Sequence, residues 1–229
     1  MTKKLKYEIP DQDTKDGVYA ATRAALSLIP VFGGTAVEIF QYIVTPSIEK
    51  RRNEWMEDVG QAIRKLENEK QLDFTQLQTN DVFIDTLLQA SQIALRNSQD
   101  EKLRSLKNAV INSALPEPID QTFQQMFLNW VDDFTVWHIM VLQLFHNPQK
   151  YVSEKNINLD SMNGLDNLLE KCFPELSNDR PLYDQIWQDL LQRGLVNTDS
   201  LHIMMLGRAI ASKRTTDLGD KFLSFISEK

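Results

Sequence analysis

The sequence predicts an all-α fold: an N-terminal helical bundle containing an apolar helical hairpin, followed by a smaller helical module. Three observations carry this. Only 8 Gly and 8 Pro occur in 229 residues, so helix breakers are scarce. Apolar residues recur at three-and-four spacing through most of the chain. Asn, Asp, Thr, Pro and Gly stand where helices should start and stop. A hydrophobic fraction of 42% is enough for a sizeable core.

Residues Met1–Lys15 are polar, carry Pro10, and are predicted to be a mobile tail. The bundle is placed at residues 16–117. Its first helix is expected over Asp16–Leu28, with Val18, Ala21, Ala25 and Leu28 on one face. Pro30 ends it, because the residue before proline avoids the helical region. The uncharged run Ala24–Val37 contains the predicted hairpin turn Ile29, Pro30, Phe32, Gly33 and Gly34. Small residues there let two helices approach closely inside the domain. The same pattern suits a hairpin that meets a bilayer interface. It is too short to span one, which takes about 20 apolar residues.

A second helix carries Val37, Phe40, Ile43 and Val44. Thr45-Pro46 is read as a cap and first turn, opening a new helix from Pro46 to about Lys70; a kinked continuous helix is the alternative. Ile48, Trp55, Val59, Ile63 and Leu66 form its core face, with Lys50, Arg51, Arg52 and Arg64 among acidic residues opposite. Asn80-Asp81 opens a helix faced by Ile84, Leu87, Leu88, Ser91, Ala94 and Leu95. Asp100 is expected to cap the next, faced by Leu103, Leu106, Val110 and Ala114. Pro116-Glu117-Pro118 is taken as a domain boundary.

The second module is placed at residues 118–229. Helices are expected over Asp120–Asp133, Val136–His146 capped by Thr135, Gly164–Phe173 and Pro181–Arg193. Gly194 suits a left-handed cap. Residues 199–214 read as irregular or extended. Thr215 or Thr216 opens the last helix, faced by Leu218, Phe222, Phe225 and Ile226.

Charge narrows the partners. The formal net charge is −7. Residues 118–229 hold 10 basic and 15 acidic side chains, against 15 and 17 in residues 1–117. An acidic surface disfavours nucleic acid. The single cysteine, Cys172, excludes an internal disulfide and fits a reducing cytoplasm. Lys3, Lys4 and Lys6 precede a polar stretch, so no secretory leader is predicted.

No nucleotide-binding, serine-hydrolase or zinc-protease motif occurs, and no cofactor, metal or catalytic residue is predicted. His138 and His146 lie roughly 12 Å apart along one helix by its rise, too far for one zinc. Cys172, beside Leu169 and Phe173, reads as a buried apolar cysteine. Asp132-Asp133 reads as a solvated helix end.

The helix order, Arg193-Gly194-Leu195-Val196, an extended segment and a final helix together resemble a winged helix-turn-helix over Phe134–Ile226. In a DNA-binding module the helix before Gly194 would enter the major groove. Here it carries Asp184 and Asp189. Arg193, Lys213 and Arg214 are the candidate contacts. Ile29–Gly34 and Thr215–Ile226 resemble elements of a loose set of bacterial proteins, and Gly194-Leu195-Val196 with Thr216, Gly219 and Phe222 resembles its nearest named relative, the abortive-infection alpha family. That resemblance implies phage defence and a tie to membranes, and it brings no catalytic residue.

The leading expectation is a non-enzymatic interaction protein, its protein partner unidentified. Alternatives are a membrane-perturbing effector using residues 24–37 and a DNA-binding regulator. The mixed-charge helix 46–70 also admits pairing with a second copy.

Overall fold

The computed structural model describes residues 34–69, 74–116, 118–159, 163–205 and 207–228. Within these the protein is all-α, and no residue belongs to a named strand. The helices are α1 (Gly34–Asn68), α2 (Phe74–Leu77), α3 (Asp81–Arg96), α4 (Asp100–Ala114) and α5 (Gln121–Asp133). They continue as α6 (Val136–His146), α7 (Pro148–Glu154), α8 (Leu165–Cys172), α9 (Arg180–Gln192) and α10 (Asp217–Ile226). The chain divides into two units, residues 1–53 and 54–229. Of the first unit, only the leading part of α1 is described.

The predicted tail, first helix and turn residues Ile29, Pro30, Phe32 and Gly33 lie outside the described residues. Gly34 is the first residue of α1. The break expected at Thr45-Pro46 is absent: α1 runs through Pro46 as one helix. Proline forfeits one hydrogen bond and crowds the preceding turn, whereas breaking the helix would require a second costly nucleation. Trp55, Val59 and Ile63 of α1 are buried in the second unit, and the Trp55 indole donates to Ser91 Oγ on α3 at 2.9 Å.

Helix α3 starts at Asn80, whose side chain accepts from the Phe83 N–H at 3.0 Å. Its buried face is Phe83, Thr86, Ala90, Ile93 and Ala94, with Leu88 57% exposed. The face expected from apolar periodicity is therefore turned by about one residue, roughly 100°. Polar side chains decide this. Thr86 donates to Gln124 Oε1 at 2.8 Å, and Gln124 donates to the Ile119 carbonyl at 2.7 Å. Both residues are buried, so only a face that pairs them avoids stranding a polar group.

Helix α4 is the hub of the second unit, packing against α3, α5 and α10. Leu106, Ala109 and Val110 on it are fully buried. Gln99, rather than Asp100, is its N-cap residue, and Asp100 supplies negative charge to the first turn. The expected boundary at Pro116–Pro118 lies inside this unit, because α5 packs on both α3 and α4 and the last helix packs on α4. Phe222 of α10 meets Phe127, Trp130 and Phe134 at centroid distances of 5.3, 5.8 and 5.8 Å in edge-to-face geometry. The carbonyls left over at the end of α10 are met by α4. The Asn112 amide donates to those of Ser224, Phe225 and Ser227, and Asn108 donates to Ile226.

Helix α9 ends in a Schellman turn. Gly194 has φ +69°, its N–H bonds the Leu191 carbonyl at 2.9 Å, and the Leu195 N–H bonds Leu190 at 2.9 Å. The chain then pairs briefly with the segment before α10, through a bridge between Val196 and Thr215 and a bond from the Asn197 N–H to Arg214. A second bridge joins Gly164 to Met204.

Two glycines separate close packing from mere tolerance. A Cβ on Gly219 would collide with the Leu195 carbonyl, whereas one on Gly60 meets open space on an exposed face of α1. Gly219→Ala should cost about 2–3 kcal/mol. Gly60→Ala should add about 0.5–1 kcal/mol. Urea denaturation of the two variants checks both signs.

Candidate functional site

Thr216, Gly194 and Gly219 meet at one junction. Thr216 Oγ1 donates to the Gly194 carbonyl at 2.6 Å and accepts from the Gly219 N–H at 3.0 Å. The Thr216 N–H bonds the Leu195 carbonyl at 3.0 Å. One hydroxyl thus caps α10 and ties it to the end of α9. The Arg214 N–H adds the last turn of α6 by bonding the Phe145 carbonyl at 2.8 Å. The short sequence motifs 194–196 and 216–222 are therefore two halves of one joint.

The candidate cationic residues surround this joint and bond to the protein itself. Arg193 pairs with Asp133 at 3.2 Å and lies over the Phe134 ring, 4.9 Å from its centroid. Lys213 pairs with Asp220. Arg214 donates to the Ala209 carbonyl at 2.6 Å and contacts Met205 Sδ. On α9, Asp184 pairs with Arg180 at 3.3 Å, and Asp189 accepts from Gln185 at 2.7 Å.

A cavity of about 710 Å³ opens between α4, α6, α7 and α10, with Arg104, Gln143, His146, Tyr151, Asp220 and Ser224 on its wall. His146 Nδ1 lies 2.9 Å from Asp220 Oδ1. Asp220 also accepts from Thr215 Oγ1 at 2.6 Å and from Lys213. Burial pushes the Asp220 carboxyl up, but its bonds to Lys213, Thr215 and His146 outweigh that and hold it below the ordinary range. An ionised Asp220 orients the imidazole with its Nδ1 proton inward. This wall can bind polar groups and fix a ring, and it mixes both signs of charge: Arg104 and Lys150 stand among Glu101, Asp220 and Glu228.

The other two histidines sit elsewhere, each in its own electrostatic setting. The Thr135 backbone N–H, which can only donate, reaches His138 Nδ1 at 3.2 Å. Nδ1 must accept, so the proton sits on Nε2, 3.2 Å from Asp189 Oδ2. The ring also stacks on Phe134 at 4.8 Å. Burial lowers the basicity of His138 and outweighs the raising effect of Asp189. His202 contacts Asp166 and Asp184 at 3.0 and 2.7 Å.

Among the described residues no His, Cys, Asp and Glu group could hold a metal ion. The Cys172 thiol is buried and pushed up to about 11 by burial, which removes the thiolate a nucleophile needs. Asp132 and Asp133 are not simply solvated: they pair with Arg96 and Arg193, and the buried Lys102 ammonium donates to the Asp132 carbonyl at 2.8 Å. No described helix is long and apolar enough to cross a membrane. The Asn108 and Asn112 caps and the His202 contacts had no sequence signal, because each partner lies far along the chain.

No family model matches this chain, and no curated protein or solved structure does either. The site and fold together define it as an all-α protein.

His138 makes a signed prediction. Its folded form resists protonation, so it stabilises the protein above the ordinary value of 6.5 and this contribution is lost as pH falls through the lower folded value. Its ring should titrate below 6.5 by NMR. In His138→Gln the part of the acid-side fall in unfolding free energy that it causes should disappear.

Proposed function

We propose that this chain is an interaction protein without catalytic chemistry of its own, working through contacts with another protein. The observation that carries the reading is the pair Met56 and Leu88, 60% and 57% exposed. The Trp55–Ser91 hydrogen bond joins the two helices that carry them, α1 and α3. Met56 follows Trp55 in sequence, and Leu88 stands about one helical turn before Ser91. Large apolar side chains this exposed on one helix pair, beside charged neighbours such as Glu57 and Asp85, suit a contact with an apolar centre and a polar rim.

The setting we propose is bacterial phage defence, on the strength of the motifs at residues 194–196 and 216–222. A winged-helix-like character of the later helices is part of the same proposal, supported by the helix order and the Val196–Thr215 pairing. A second copy of the chain is one candidate partner. DNA is disfavoured by Asp184 and Asp189 on α9 and by the internal bonds that Arg193, Lys213 and Arg214 make.

A photo-cross-linking residue at position 88 should give a discrete protein adduct in cells, and the same residue at exposed Gln125 should not. Met56→Glu combined with position 88 should remove the adduct while shifting stability by no more than about 0.5 kcal/mol, as exposed substitutions do. Equal, diffuse labelling at positions 88 and 125 would overturn the reading. Light scattering distinguishes a second copy from a different partner, and phage plating efficiency tests the defence setting.

A further inference from the structure

His202 stands between two carboxylates contributed by different helices. Its Nδ1 is 3.0 Å from Asp166 Oδ2 on α8, and its Nε2 is 2.7 Å from Asp184 Oδ1 on α9. An ionised carboxylate only accepts, so both ring nitrogens must carry protons, and the geometry belongs to the imidazolium. A neutral ring can serve one carboxylate and turns a lone pair on the other. The remaining charged and titratable groups around it are few. Arg180 pairs with Asp184 at 3.3 Å. Tyr183 lies 6.1 Å from the ring centroid and donates to Glu170 at 3.0 Å.

Apart from His202, the segment is held by main-chain contacts to the start of α8, among them the Gly164–Met204 bridge. The Leu201 carbonyl accepts from Leu165 and Asp166 at 3.1 Å, and the Met205 N–H donates to Asn163 at 3.1 Å. Leu201 is buried, while Ile203 and Met204 are 38% and 85% exposed.

We propose that His202 is a pH-responsive latch: charged, it clamps residues 199–205 to α8 and α9 together, and on losing its proton it releases one carboxylate and loosens the segment that presents Ile203 and Met204. Burial alone would make the ring less basic, but its bonds to Asp184 and Asp166 outweigh that and raise it above 6.5. The latch therefore stabilises fully below 6.5, and its contribution is lost as pH rises through the folded value. This is the opposite sense to His138.

The test is an NMR titration of the full chain from acid to mildly alkaline pH. The His202 ring should titrate above 6.5 with both nitrogens protonated before the transition. The amides of Leu165, Asp166 and Met205 should shift with the same midpoint. Protection of the Leu165 and Asp166 amides against exchange, corrected for intrinsic pH dependence, should fall about tenfold across it, the lower end of the loss expected when a charge-assisted hydrogen bond goes. In His202→Gln those amide shifts should flatten. A midpoint at or below 6.5, unmoved amides, or shifts that survive in His202→Gln would overturn the proposal; the native titration decides even if the variant does not fold.

Discussion

The Thr216 hydroxyl, shared between the Gly194 carbonyl and the Gly219 N–H, is the contact on which the second unit depends. It sits where α9 ends and α10 begins, and a main-chain bond beside it brings in the end of α6. Helix termini carry unmet donors and acceptors. Here the termini satisfy one another. Both glycines are required by geometry: Gly194 adopts a left-handed conformation, and Gly219 lies against the Leu195 backbone.

The same economy recurs at the other end of α10. Asn108 and Asn112, on the buried side of α4, supply the donors that its final carbonyls lack. Thr86, Gln124 and Lys102 are also buried and paired. Polar groups inside this core act as directional fasteners between helices whose apolar faces alone would tolerate several rotations.

Each histidine shows how the fold sets the chemistry of one residue type. His138 is held neutral by a backbone donor and burial, and His202 is held charged by two carboxylates. His146, at the exposed end of α6, is oriented by an Asp220 that Lys213 and Thr215 help keep ionised. The differences arise from partners on other helices.

The all-α class was legible in the sequence, as were Asn80 and Thr135 as helix starts, Thr216 as one of two adjacent candidates, and the left-handed Gly194, because caps and periodicity are local. Val136–His146 could be read to the residue for that reason. The passage of α1 through Pro46, the rotation of α3 and the merging of residues across Pro116–Pro118 into one unit were decided by tertiary structure. Each turns on a comparison that a local pattern does not contain: a lost hydrogen bond against a second nucleation, and a buried Thr86–Gln124 pair against a slightly greasier face. Candidate contacts Arg193, Lys213 and Arg214 were visible as charges, but only the fold revealed that they are spent on Asp133, Asp220 and the Ala209 carbonyl. Charge is a property of the residue, whereas its availability depends on which neighbours folding brings within reach.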